Sequence, residues 1–176
     1  MEEFGVDAVP FQHEDLEDWR NSLSKGIQFH HDKTDLLITG GVDDIWENRK
    51  GELLIVDYKA TSKNGEVSLD APWQISYKRQ MEIYQWLFQK NGFKVNPTGY
   101  FVYCNGKRDT PRFDNRLEFD VKILPYRGTT SWVEQAITDV YDCLNSNRRW
   151  CMNRRLEAFK RPAPGHMGGR WATISA

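Results

Sequence analysis

The sequence predicts a layered α/β or α+β domain in which helices flank one mixed central β-sheet. Segments with helical periodicity and short apolar runs follow each other in the order helix, three strands, helix, strand, strand, helix. A chain of 176 residues fits one domain of ordinary size. Its 39% hydrophobic and 13% aromatic content indicates a packed core and excludes a disordered chain.

The first third of the chain is predicted to form a helix and a three-stranded meander. Residues 14–25 have an acidic first turn, which suits a helix N-terminus. Strands are predicted at 27–31, at 35–48 as one strand of mixed pattern, and at 52–62. The apolar run in the last of these indicates a strand buried on both faces. A turn at 49–51 joins the last two strands, so residues 27–61 are expected to form a meander.

The longest helix is predicted over residues 72–91. Pro72 suits its first turn, and Gly92 suits its C-terminal exit. Five apolar side chains recur at helical spacing and define the expected buried face: Trp73, Tyr77, Met81, Tyr84 and Phe88.

The remaining elements complete the sheet and its second helix layer. Residues 98–104 are predicted to form a buried strand, and 116–125 an edge strand that Pro125 ends. Residues 130–145 have the pattern of an amphipathic helix. The sequence after about residue 160 has no hydrophobic periodicity, so we expect a domain at 1–160 and an irregular tail at 161–176.

Charged residues lie at the end of the apolar strand, where Asp57, Tyr58 and Lys59 follow one another. Side chains alternate along a strand, so Asp57 and Lys59 point to the same face. The pair is either a salt-bridged strand end or a metal ligand beside a group that orients a water. Asp57-x-Lys59 alone does not decide between these alternatives.

The preceding strand adds carboxylates. A hairpin through residues 49–51 would bring Asp43 or Asp44 near Asp57. Facing carboxylates need a cation or a proton, and oxygen ligands suit Mg²⁺ or Mn²⁺. Glycines at 40 and 41 permit close backbone approach, which favours a site, while a solvated acidic pair is the alternative.

Gln80 and Tyr84 lie four residues apart and therefore on one face of the long helix. A glutamine within an aromatic stripe needs hydrogen-bond partners if it is buried. The alternative is a glutamine at the rim of the helix.

These segments together resemble a known family. Gly40-Gly-Val-Asp43, Ile55-Val-Asp57-Tyr-Lys59 and Gln80-Met-Glu-Ile-Tyr84 are similar to the GxxD, DxK and QxxxY motifs of the PD-(D/E)XK nuclease superfamily, in its RecB-like branch. The resemblance covers roughly residues 27–104 and implies a restriction-endonuclease-like core.

The resemblance implies a metal-dependent nuclease that hydrolyses phosphodiester bonds in nucleic acid, for which we expect DNA. Asp43, with Asp44 as its competitor, and Asp57 match the carboxylates that hold Mg²⁺ or Mn²⁺. The carbonyl of Tyr58 matches the backbone ligand, and Lys59 matches the catalytic lysine. Gln80 and Tyr84 match the motif that supports the site. A catalytically silent module that binds nucleic acid or a protein assembly is the alternative.

The sequence also departs from the branch. Relatives often carry an upstream metal-ligand histidine, for which His13 is the best candidate, with His30 and His31 behind it; a structural role is the alternative for each. Many relatives hold an iron–sulfur cluster with four cysteines. The three cysteines here do not match that pattern, so we expect no cluster.

Charge, cysteine content and missing motifs bear on partners and compartment. The chain contains no P-loop, so a helicase motor, where one is needed, would be a separate subunit. The few scattered cysteines, and an N-terminus without an apolar segment, favour the cytoplasm and no membrane span. The basic C-terminal segment could contact a phosphate backbone through Arg148, Arg149, Arg154, Arg155, Lys160 and Arg161.

Overall fold

The computed structural model of the protein describes residues 2–108 and 115–146. Helices in this part of the chain flank a five-stranded mixed sheet of order β1-β4-β5-β6-β7. The strands are β1 Ala8–Pro10, β2 Ile27–His31, β3 Leu36–Gly40, β4 Asp44–Asn48, β5 Leu53–Thr61, β6 Thr98–Gly106 and β7 Phe119–Arg127. The α-helices are α1 Leu16–Arg20, α2 Ile75–Lys90 and α3 Val133–Asn145, and 3₁₀ turns lie at Glu2–Phe4 and Pro72–Gln74.

The central pairing is a hairpin followed by a crossover. β4 and β5 pair antiparallel through the turn at 49–51, as predicted. β5 and β6 then pair parallel, with α2 in the connection between them. β7 pairs antiparallel with β6, and β1 with β4, so β7 and β1 are the two edges. This arrangement confirms the predicted mixed sheet with flanking helices.

The predicted three-stranded meander is wrong. Residues 35–48 form two strands, because β3 ends at Gly40 and β4 begins at Asp44. β3 pairs with β2 in a separate hairpin that packs on α2. Residues 41 and 42 leave the strand and contact α1 and the segment that follows it. Val42 N donates to Trp19 O at 3.2 Å, and a Cβ on Gly41 would lie 2.3 Å from Ser22 Cβ.

Several predicted boundaries also change. The first helix is short, since α1 ends at Arg20, and Gly26, with φ of +67°, donates its N–H to Asp18 O at 2.9 Å. β1 was not predicted, because three residues are too few to show a periodicity. β7 is an edge strand, as predicted, but Pro125 lies within it opposite Tyr100. An edge strand tolerates proline, since its outward side needs no N–H donor.

The two faces of the sheet are covered unequally. The larger core includes Ile55 and Phe101 from the sheet, and Met81, Leu87 and Phe88 from α2. The opposite face has a smaller cluster of Val6, Trp46, Leu54, Val56 and Val102. The apolar run of β5 is therefore buried on both faces, as predicted.

The predicted buried face of the long helix is correct for Met81, Tyr84 and Phe88, and Tyr77 is half-buried. It is wrong for Trp73, whose exposed fraction is 61%. The chain winds as a 3₁₀ turn before α2 begins, and Gln74 takes the inward position there with 3% exposure.

A buried carboxylate fixes α2 on the side of β7 and α3. Glu82 is 2% exposed and accepts four hydrogen bonds. The donors are Tyr126 Oη and Trp132 Nε1, both at 2.7 Å, Arg79 Nη1 at 2.9 Å and Thr129 N at 3.2 Å. Burying this charge is compensated, because every lone-pair direction has a donor.

No helix in residues 2–108 and 115–146 is long and apolar enough to cross a bilayer. The basic segment from Arg148 to Arg161 and the expected boundary at residue 160 lie outside the described residues.

Candidate active site

The site forms where β5 extends beyond its partner β4. Asp44 is the first residue of β4 and lies opposite Val56, so residues 57–61 pair only with β6. Asp43 lies along the open edge, and its Oδ2 accepts a hydrogen bond from Tyr58 N at 2.8 Å. The N–H and C=O of one strand residue point to the same side. The carbonyl of Tyr58 therefore faces the edge that Asp43 occupies.

Asp57 and Lys59 form the ion pair that strand alternation predicts. Lys59 Nζ lies 2.6 Å from Asp57 Oδ2, and the two side chains are 18% and 4% exposed. The contact is short but poorly directed, so Lys59 stabilises this buried oxygen by its charge more than by a well-aligned hydrogen bond. Burial raises the pKa of Asp57, the contact with Lys59 and its charge oppose that shift, and the negative charge of Asp43 adds to it. Asp57 is thus a buried carboxylate whose desolvation is only partly compensated.

Asp43 and Asp44 have different surroundings. Asp44 Oδ1 lies 2.6 Å from Arg20 Nη2, and its Oδ2 accepts hydrogen bonds from Tyr58 Oη at 2.8 Å and Trp46 Nε1 at 3.3 Å. Burial, followed by this bond to Asp44, raises the pKa of Tyr58 to about 12. Asp43, which is exposed, is the carboxylate beside Asp57, while Asp44 is already neutralised by Arg20.

Gln80 and Tyr84 lie against the same site. Gln80 Nε2 donates to Tyr84 Oη at 2.9 Å. Burial raises the pKa of Tyr84 to about 12; the Gln80 bond opposes the shift, and the charges of Asp57 and Asp43 add to it. Both carboxylates thus act electrostatically on the Tyr84 hydroxyl.

Gly40 joins the first motif to the third. A Cβ at Gly40 would lie 2.7 Å from Tyr84 Cε1, so the tyrosine ring packs directly on the glycine backbone. The structure therefore brings residues of GxxD, DxK and QxxxY together, as the resemblance implies.

Sequence reasoning missed Tyr77 as a neighbour of the site. Its ring centroid lies 4.5 Å from Lys59 Nζ, in cation–π geometry. Trp73 packs perpendicular to Tyr77, with 5.4 Å between the ring centroids. The available signal was spacing: Tyr77 precedes Gln80 by three residues and Tyr84 by seven, which places all three on one helix face.

The three candidate histidines have other surroundings. The ring of His13 stacks on Trp19 with 4.5 Å between centroids, and its Nδ1 accepts a hydrogen bond from Asp15 N at 3.1 Å. His30 contacts Asp32 and Asp35 at the surface, whereas buried His31 contacts Thr34 and Glu134. These contacts favour the structural alternative for each.

The oxygen set at the end of β5 fits a hard divalent cation. Two carboxylates and a backbone carbonyl can face one ion, and the buried Asp57 Oδ2 lacks an aligned donor. Across the described ranges, no three or more His, Cys, Asp or Glu side chains cluster in a way that could hold a metal. The fit therefore depends on Asp43, Asp57 and the Tyr58 carbonyl, with water as the remaining ligands.

A mixed sheet that carries paired aspartates and a lysine at the end of a central strand is typical of one class of nucleases. The profile of the PD-(D/E)XK nuclease superfamily matches residues 2–156, and the chain belongs to that superfamily. Its fold is restriction-endonuclease-like, and membership supports a nuclease acting on nucleic acid. Neither the search of curated proteins nor that of solved structures found a match.

Proposed function

We propose that the protein is a Mg²⁺- or Mn²⁺-dependent nuclease of the RecB-like branch that hydrolyses phosphodiester bonds in DNA. The observation that supports this most strongly is the buried Asp57, which lies beside Asp43 and is ion-paired with Lys59 at 2.6 Å. A strand end retains such a partly compensated buried carboxylate at a cost in stability, which a functional role would explain.

The proposal assigns the metal to Asp43, Asp57 and the carbonyl of Tyr58. A divalent ion held there would lower the pKa of a bound water and offset charge on the scissile phosphate. Asp43 is held in place by the N–H of Tyr58, and Asp57 by its position in β5, so the ligands are arranged before any ion binds.

Lys59 is the proposed group that orients the attacking water. Its ammonium lies between Asp57 Oδ2 and the Tyr77 ring, which leaves its position well determined. From there it can orient the attacking water and stabilise the negative charge that develops on the phosphate. Gln80 and Tyr84 would support the site and the bound strand, and by resemblance the product carries a 5′-phosphate.

The test is cleavage of end-labelled DNA and RNA oligonucleotides, single- and double-stranded, with Mg²⁺, Mn²⁺ or EDTA. We expect DNA to be cut only when a divalent ion is present. Asp57→Asn should abolish cleavage. Asp44→Asn should retain it, because Asp44 is paired with Arg20 instead of facing Asp57. Equal cleavage by wild type and Asp57→Asn would contradict the proposal.

The second candidate is a catalytically silent nuclease-fold module that binds nucleic acid or a protein assembly. A net charge of −1 favours it, since many autonomous nucleic-acid binders are basic. It predicts binding without cleavage under every metal condition, which the same oligonucleotide series distinguishes.

A further inference from the structure

An exposed tryptophan lies beside the candidate site. Trp73 is 61% exposed, although indole rings are among the side chains that gain most from burial. The inward position of this turn is taken by Gln74, whose amide bonds to Ala71 N, Ser68 O and Tyr103 Oη. Those bonds fix the turn with the indole directed outward.

The ring is linked to the proposed catalytic lysine. Trp73 contacts Tyr77 edge to face, and the Tyr77 ring lies against the Lys59 ammonium. In a perpendicular pair at most one face of the indole is covered, so the other is free of that contact. The exposed indole of Trp73, the Tyr77 ring and the Lys59 ammonium thus lie in a row that ends at Asp57.

We infer that Trp73 and Tyr77 form a stacking surface for an unpaired nucleobase, so that the strand entering the site is single-stranded. The inference rests on the proposed function, since it takes a phosphate at Lys59 as its reference point. A base adjacent to that phosphate comes within reach of the two rings.

The chemistry of the neighbours favours a nucleic acid over a protein partner. A nucleotide offers a π-face for the indole and an anion for the ammonium, and base–aromatic stacking is common in single-strand binding. Bases in a duplex already stack on each other and cannot present a face to a side ring. The surface therefore selects for unpaired bases.

The test measures binding in EDTA, where no metal-dependent cleavage occurs. The probes are a fluorescein-labelled single-stranded DNA oligonucleotide, a blunt duplex of the same sequence, and single strands with one abasic position moved along the chain. The variants are Trp73→Ala, Trp73→Phe and, as a control, Phe4→Ala, which removes another exposed ring at a position before β1. Melting temperatures check that each variant is folded.

Trp73→Ala should weaken single-strand binding by on the order of tenfold or more, while Trp73→Phe retains most of it and Phe4→Ala all of it. With the abasic site at one position, the strand should bind wild type more weakly than the intact strand does. The same abasic strand should bind Trp73→Ala as well as the intact strand does. Unchanged binding by Trp73→Ala, or an equal loss for single strand, duplex and every abasic strand, would overturn the inference; the first result would point to a protein contact.

Cleavage assays on the same preparations separate this inference from the proposed function. Metal-dependent cleavage together with unchanged Trp73→Ala binding overturns the stacking surface and leaves the nuclease standing. Base-dependent binding through Trp73 without cleavage under any metal condition supports the surface and overturns the nuclease. Wild-type protein that does not bind single strands and cuts no oligonucleotide of the series contradicts both.

Discussion

Asp43 Oδ2 accepts a 2.8 Å hydrogen bond from the backbone N–H of Tyr58, which ties the turn before β4 to the open edge of β5. The bond places the Asp43 carboxylate beside the buried carboxylate of Asp57, at the end of β5 that no longer pairs with β4. Both charges raise the pKa of Tyr84, in addition to the larger effect of burial, so the negative potential extends to α2.

Divalent metal should stabilise the folded protein, because Asp43 and Asp57 repel each other when no cation lies between them. At a hundred times the dissociation constant, Mg²⁺ or Mn²⁺ should raise the melting temperature by roughly 5–10 °C. The shift should largely vanish in Asp57→Asn and persist in Asp44→Asn. Equal shifts in wild type and Asp57→Asn would refute the metal site.

Lys59→Ala should keep the fold and most of the metal-dependent stabilisation, since the lysine is not a ligand. Cleavage should fall by at least roughly a hundredfold, the usual scale for one preorganised charge. Lys63→Ala is the matched control, because Lys63 is exposed just beyond the end of β5. Single-turnover cleavage rates are measured for both variants. A near wild-type rate in Lys59→Ala would mean that Lys59 only forms an ion pair at the strand end.

Gln80→Leu should fold at least as stably as wild type but lose cleavage or substrate affinity. The substitution adds apolar surface to α2 and removes the amide that bonds to Tyr84 Oη. Tyr84→Phe should show a smaller loss, because the ring and its packing remain. Gln89→Leu, at an exposed position of the same helix, should leave activity unchanged. Melting temperature and cleavage rate are measured on one preparation, and full activity in Gln80→Leu would show that the motif is coincidental.

Gly40→Ala should destabilise the protein by about 1–3 kcal/mol, because the added methyl meets the Tyr84 ring at 2.7 Å. The free energy of unfolding from denaturant titration measures the cost. In a double-mutant cycle the cost should persist with Tyr84→Phe, which keeps the ring, and shrink with Tyr84→Leu. Equal costs in both backgrounds would mean that the clash lies elsewhere.

Glu52 should contribute to stability at neutral pH and lose that contribution in acid. Hydrogen bonds from Asn48 at 2.8 Å and Asn96 at 2.7 Å lower its pKa to about 2. The folded pKa lies below the unfolded value of about 4.3, so the contribution is present above that value and is lost as the pH falls towards 2. As the pH is lowered from roughly 5 to 2, the melting temperature should therefore fall more steeply in wild type than in Glu52→Gln. Parallel curves would contradict this origin of the shift.

The parts of the site that depend on local pattern were predictable from sequence. Strand alternation predicts Asp57 and Lys59 on one face, and the hairpin through 49–51 predicts Asp43 or Asp44 near Asp57 without deciding between them. The interruption at Gly41 was not predictable, because it depends on contact with Ser22, which follows α1.

Two other features could not be predicted from local sequence patterns. Helical periodicity predicts a helix through Pro72–Gln74 with Trp73 in the core, but the 3₁₀ turn there changes which residue points inward. Glu82 resembles a surface position in the sequence, since most of its donors come from residues 44 to 50 positions away.

The hydrogen bonds to Glu82 have a consequence for the opposite side of α2. Residues 80 and 82 are separated by about 200° around a helix, so the bonds to Glu82 also fix the direction of Gln80, whose amide donates to the Tyr84 hydroxyl. Tyr126 and Trp132, which follow β6 in the chain, hold this orientation of α2 through their hydroxyl and indole donors. The proposed role of Gln80 therefore depends on residues outside the candidate site. We expect Trp132→Phe, which removes the indole donor to Glu82, to lower cleavage while circular dichroism shows that the central sheet is still formed.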